Sequence, residues 1–113
     1  MTTEQQRKML ECAAKACGYE IFDWYGERYT AHDGEKLIAF NPLTNPAYTA
    51  EMCAKLGIDT CFYLQLSRVT CDFYSGNDHI RVRVEFKDHD NSRMKAWMFA
   101  ATLVEAKTQR YSE

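Results

Sequence analysis

Two groups of residues in this chain have the types and spacing to do chemistry. The first is a pair of His-Asp dipeptides, His32-Asp33 in "AHDGE" and His89-Asp90 in "KDHDN". Imidazole and carboxylate together bind divalent cations, and Asp88 adds an oxygen ligand beside the second pair. Both dipeptides fall between periodic segments, however, where such sequences are ordinary turn and helix-cap chemistry. We therefore expect no metal and no other cofactor. The second group is basic and aromatic. Arg81, Arg83 and Lys87 alternate with apolar residues, and Tyr63, Arg68 and Tyr74 stand in the segment before them. Guanidinium forks grip phosphate or carboxylate, and aromatic faces stack bases. These six residues are the candidate binding site, for a nucleotide, an RNA segment or an acidic protein partner. The plain alternative is a solvated strand face whose cross-strand Arg–Glu pairs aid solubility.

Nothing points to a catalytic nucleophile. There is no G-x-S-x-G, no Walker loop and no glycine-rich phosphate cradle, and the glycines are scattered singly. His79 flanks a turn and has no evident partner in the sequence. The five cysteines, Cys12, Cys17, Cys53, Cys61 and Cys71, form no C-x-x-C pair. Their odd number and the lack of a metal spacing predict reduced thiols, several of them buried as small apolar side chains. The sequence reads as a binder and not as an enzyme.

These groups need a scaffold, and the composition supplies one. A chain of 113 residues fits a single domain, residues 1–113. At this size about 65% of the unfolded surface is buried, enough for one hydrophobic core. The 46% apolar fraction is that of a globular protein, and no apolar run approaches a membrane span. The first ten residues, "MTTEQQRKML", are polar where a signal peptide needs an apolar stretch, which predicts a cytoplasmic address. The formal net charge of −2, with both signs well mixed, is neither that of a general nucleic-acid binder nor that of a DNA mimic.

Helical spacing of Met9, Leu10, Ala13, Ala14 and Cys17 predicts a first helix, opened by a capping box at Thr3 and Gln6 and closed at Gly18. The segment 19–40 is aromatic and β-rich, broken at Gly26 and at Asp33-Gly34, and reads as two or three short strands. In "NPLTNPAYTAEMCAKLGID" Asn45 caps a short helix with Pro46 at its first position, and Gly57 ends it. Ile58 then folds back on Met52 or Cys53. Tyr48, Met52, Cys53 and Leu56 face the core. Strands follow. Phe62, Leu64 and Leu66 form one apolar stripe, continued by Val69, Cys71 and Phe73 past a bend at Ser67-Arg68. Ile80, Val82, Val84 and Phe86 alternate with Arg81, Arg83, Glu85 and Lys87, so one face is buried and the other wet. A last helix, from about Asn91 to Lys107 and capped by Asp90 or Ser92, carries so wide an apolar face that deep burial is expected. The fold class is α+β: an antiparallel-type sheet packed with an N-terminal, a short middle and a C-terminal helix.

That order, with "NPLTNPAYTAEMCAKLGI" in the middle and "DHDNSRMKAWMFAATLVEA" near the end, resembles the phage ABA sandwich domain family, small proteins of tailed bacteriophages and prophages. The likeness is strongest at Asn41-Pro42-Leu43, at Lys55-Leu56-Gly57-Ile58 and in the final helix. Phe40 stands where many members place a tryptophan. The resemblance implies a helix–sheet–helix fold and a phage origin, and brings no catalytic residue. A charged row on one strand is at odds with a sheet covered on both faces, so one solvated face is expected. The reading that follows is a small phage or prophage accessory protein acting by non-catalytic binding to a host protein, such as a defence or metabolic factor, in the host bacterial cytoplasm. The alternative is a nucleotide or nucleic-acid binder using the basic, aromatic face. A symmetric homodimer would use an exposed edge strand or the apolar surface around Met98, Phe99 and Leu103.

Overall fold

In the computed structural model the chain runs α1 (Thr3–Ala16), β1 (Glu20–Tyr25), β2 (Arg28–His32), β3 (Leu37–Phe40), α2 (Pro46–Leu56), β4 (Asp59–Tyr63), β5 (Arg68–Ser75), β6 (Asp78–Glu85) and α3 (Arg93–Lys107). Single 3-10 turns at Leu64–Leu66 and Phe86–His89 follow β4 and β6. The structure describes residues 2–25, 28–32 and 37–112; between 20 and 39 it describes the backbone alone. The expected turns at Gly26 and Asp33-Gly34 lie outside the described residues.

Local signals account for the helix ends. The Thr2 hydroxyl accepts the Gln5 N–H at 3.1 Å, and the Thr2 N–H donates to the Gln5 side chain at 2.8 Å. This capping box sits one residue before the expected Thr3–Gln6 pair. Both pairs have the same Thr-x-x-Gln spacing, and the earlier one adds a residue to the helix. At the other end Gly18 takes φ 81°, and the Tyr19 N–H returns to the Ala14 carbonyl at 2.9 Å, a complete Schellman closure. Helix α2 follows its sequence signals closely: Asn45 accepts the Ala47 N–H at 3.0 Å, and the Ile58 N–H reaches Cys53 O at 3.0 Å past a left-handed Gly57. The approach is held by Thr49, fully buried, whose hydroxyl donates to Pro42 O at 2.6 Å. Helix α3 starts after Ser92, whose hydroxyl accepts the Lys95 N–H at 3.1 Å.

There are two antiparallel three-stranded sheets, β1-β2-β3 and β4-β5-β6. The first ends at Phe40, a fully buried ring in edge contact with Tyr19 (5.3 Å) and tilted against Tyr48 of α2 (5.9 Å). The second lies against α3, which also packs on α1 and α2. Val69 and Cys71 of β5, with Val82 and Val84 of β6, face α3 and are buried, while Arg81 and Arg83 are exposed. The sheet thus has the single solvated face expected from the alternation. Surrounded by helices and sheet, α3 buries every residue from Ala100 to Ala106. Each fully buried apolar side chain such as Val104 stabilises the fold by about 1.5–3 kcal/mol. The result is an α+β fold with helices before, within and after the strands. No helix among the described residues is long and apolar enough to cross a membrane.

Candidate functional site

Both faces of the second sheet end in a surface feature near β4, and the two have opposite chemistry. Strand β4 is short and lies at the sheet edge, with all five residues exposed. Phe62 pairs with Val69 and so points to the α3 side. Thr60, on that same side, accepts the indole N–H of Trp97 at 3.1 Å, which ties the start of α3 to the edge strand. Beyond this tie Phe62, Leu64, Arg93, Met94 and Trp97 line an open groove of about 470 Å³ with almost wholly apolar walls. Phe62 is 43%, Leu64 56% and Met94 49% exposed.

The sequence reading placed Phe62, Leu64 and Leu66 in one buried strand stripe, and the structure corrects this. The strand stops at Tyr63, and the chain turns through Leu64–Leu66 to Ser67, which sits at φ 52°. The expected bend at Ser67-Arg68 is real, but it comes early enough to lift Leu64 and Leu66 off the core. The apolar surface assigned to Met98, Phe99 and Leu103 is corrected in the other direction: Met98 and Leu103 are buried and Phe99 half-buried.

On the wet face Tyr63, Leu66, Arg68, Thr70, Arg81 and Arg83 line a recess of about 210 Å³. Four of the six candidate residues, Tyr63, Arg68, Arg81 and Arg83, therefore meet. The pairing explains this: Tyr63 lies opposite Arg68, and Arg83 opposite Thr70, which places them on one face of adjacent strands. Tyr74 and Lys87 are not part of it. Tyr74 does not line the recess: it lies toward the far end of β5, stacked on His79 with ring centres 4.3 Å apart, and its hydroxyl adjoins Arg81. Lys87 follows the end of β6 in the Phe86–His89 turn, so the alternation that put it on the strand face has already stopped.

The organiser of this face is Asp72, which the sequence reading did not single out. Its Oδ1 accepts the Arg81 Nε–H at 2.7 Å and lies 2.7 Å from His79 Nε2. His79 therefore has a partner that its sequence neighbours did not reveal. Burial pushes the Asp72 carboxyl upward, but the hydrogen bonds and charge of Arg81 and His79 outweigh it and hold the carboxyl below its ordinary value. The signal was present in the strand pattern: Asp72 stands in an otherwise β-rich run and falls opposite Arg81 in the hairpin. Arg68 is less well served. Its Nε lies 3.7 Å from Glu85, beyond hydrogen-bonding range, and is buried with no hydrogen-bond partner. Such an unmet donor costs about 1–3 kcal/mol. Arg83 makes no ion pair among the described residues.

Of the two His-Asp dipeptides only His89-Asp90 lies among the described side chains. The His32–Asp33 pair lies outside the described side chains. The His89 ring packs on Phe99 at 4.8 Å, and burial lowers its pKa against the pull of Asp88 and Asp90. Asp90 takes an ion pair from Lys95 at 2.8 Å, ahead of the Ser92 cap. No group of three or more metal-type ligands occurs among the described residues.

Another buried carboxyl lies on α3. Glu105 of α3 is fully buried; Cys53 donates its weak S–H to Oε1 at 3.9 Å, and Oε2 has no partner. Burial raises its pKa well above the ordinary carboxyl value, outweighing the opposing Cys53 hydrogen bond. Burial likewise lifts Cys17 to about 12 and Cys71 to about 11, and pushes Cys53 upward as well. All five cysteines are free thiols, Cys61 alone of them being exposed.

No family model matches this chain, and neither a curated protein nor a solved structure is similar to it.

Proposed function

We propose that the protein works by non-catalytic binding of another protein, which docks at the corner made by β4, the Leu64–Leu66 turn and the first turn of α3. The observation that carries this reading is the apolar groove of Phe62, Leu64, Met94 and Trp97, open to solvent beside an edge strand. Large apolar side chains grouped beside an unpaired strand edge are the chemistry of an interaction surface. The occupant is an extended segment of a partner protein. Its main chain adds to β4, an apolar side chain fills the groove, and a carboxylate meets Arg93. Arg93 lines the groove and makes no ion pair among the described residues. The resemblance of the middle and last helices to small tailed-phage proteins supports an accessory protein of a phage or prophage. On that reading the partner is a protein of the bacterial host and the place of action the host cytoplasm.

Native mass spectrometry of the protein purified from host lysate tests this, run beside Leu64→Glu and Arg83→Glu variants. The reading requires a host protein retained by the natural sequence and by Arg83→Glu and lost from Leu64→Glu. A photo-crosslinker at Met94 must then join the two chains. A homodimer split by Leu64→Glu would assign the corner to a second copy of this chain and overturn the host-protein reading. Loss of the partner only in Arg83→Glu would move the contact to the wet face.

A further inference from the structure

We infer that the arginine recess on the opposite face of the same sheet is a binding site for a small phosphate monoester. The recess shares no lining residue with the apolar groove and lies on the other side of the strands, although Tyr63 of β4 and Leu66 of the turn belong to it. Three guanidinium side chains, Arg68, Arg81 and Arg83, line one recess, with the Thr70 side of β5 as its floor. Two carboxylates answer them. Asp72 is committed to Arg81 at 2.7 Å, and Glu85 stands 3.7 Å from Arg68. Arg83 has no acid of its own among the described residues, so the recess carries a surplus cation.

The Arg68 side chain is 27% exposed in the recess, although its Nε is covered beside Glu85. An oxyanion between the guanidinium groups of Arg68 and Arg83 neutralises the surplus charge. A tetrahedral phosphate accepts from three side chains arranged around it, whereas a planar carboxylate offers only two oxygens. Tyr63 and Leu66 complete the wall and give the recess an apolar side for the group esterified to the phosphate.

Size and charge separate a small ligand from a polymer. At about 210 Å³ the recess is smaller than a drug-sized pocket and fits a phosphate head with a small substituent. A nucleic-acid track needs a continuous basic stripe. Here Asp72 and Glu85 interrupt the face, and Lys87 does not extend it.

The test is isothermal titration of the full chain with phenyl phosphate at low salt. Acetate at matched ionic strength and a single-stranded oligonucleotide are run beside it. Phenyl phosphate is expected to bind in the millimolar range or tighter. Arg83→Ala, at an exposed position, should weaken it by roughly tenfold with an unchanged melting temperature in the absence of ligand. Arg68→Lys keeps the charge but loses the fork, and should also weaken binding. Leu64→Glu should leave it intact, which separates failure of this site from failure of the docking corner. No heat with phenyl phosphate would overturn the inference. So would equal binding of acetate, unchanged affinity in Arg83→Ala, or binding of the oligonucleotide alone.

Discussion

From Ala100 to Ala106 helix α3 exposes almost nothing, whereas at its other end Arg93, Met94 and Lys95 are three consecutive exposed side chains. Both halves are rich in apolar residues, so composition does not separate them. What differs is the neighbours. The buried half is enclosed by α1, α2 and the sheet, whereas the first turn is flanked by the edge strand through Trp97–Thr60 and by the Phe86–His89 turn, which leave Arg93, Met94 and Lys95 uncovered. The Trp97–Thr60 hydrogen bond marks the border. One helix therefore serves the core at one end and offers a surface at the other.

Four experiments sharpen or break that comparison. The largest effect belongs to the buried half: Leu103→Ala should cost about 2–5 kcal/mol in urea unfolding, because the cavity cannot refill. A loss below 1 kcal/mol (on the order of a surface substitution) would mean that this half is not enclosed.

Second comes Glu105, in the same half. Burial raises the pKa of its carboxyl in the folded protein well above the ordinary 4.5 of the unfolded chain. The folded state therefore binds more protons between those values. Stability is complete below the ordinary carboxyl pKa and falls as pH rises through the window up to the raised folded value. Each unit of difference costs about 1.4 kcal/mol. Glu105→Gln should flatten that slope over the window and raise stability at neutral pH, read from unfolding curves at several pH values. An equal slope in the variant would place a charged, hydrated Glu105 in the protein.

The third concerns the open end. Ser92→Ala removes the acceptor for the Lys95 N–H and should cost about 1 kcal/mol, since water can reach the freed donor. Smallest of all is Met94→Ala, with a stability change within about 0.5 kcal/mol but a weaker hold on any partner at the groove. A substantial loss of stability there would show that Met94 belongs to the core and would remove the groove as a docking surface.

Much of the fold was legible because its signals are local. Asn45-Pro46 and Gly57 bracket α2 where the capping rules put them, and the alternation in β6 divides Val82 and Val84 from Arg81 and Arg83. Thr2 and Thr3 offer the same capping box, and only the folded chain shows which is used. The site was legible in part. Tyr63, Arg68, Arg81 and Arg83 meet because strand pairing keeps the period of two. Lys87 and Leu64 were misplaced because each lies just past the end of its strand, where that period stops. Asp72 and Glu105 were overlooked for a shared reason: a single acid in a β-rich or apolar run looks like an outward-facing residue until its cross-strand or interhelical neighbours are known. Glu105 is the only ionisable residue between Lys95 and Lys107, and that isolation was its signal.

By itself, then, the amino-acid sequence determined where helices start and stop and which face of β6 is wet. Caps, glycines at positive φ and side-chain alternation act over a few residues and need no distant partner. The tertiary structure alone decided which apolar residues are covered. It put Ala100–Ala106 between layers and left Phe62, Leu64 and Met94 at a corner, made Asp72 the shared acceptor of Arg81 and His79, and buried Glu105, raising its pKa. Burial is set by what packs from far along the chain, and that is where the two halves of one helix part.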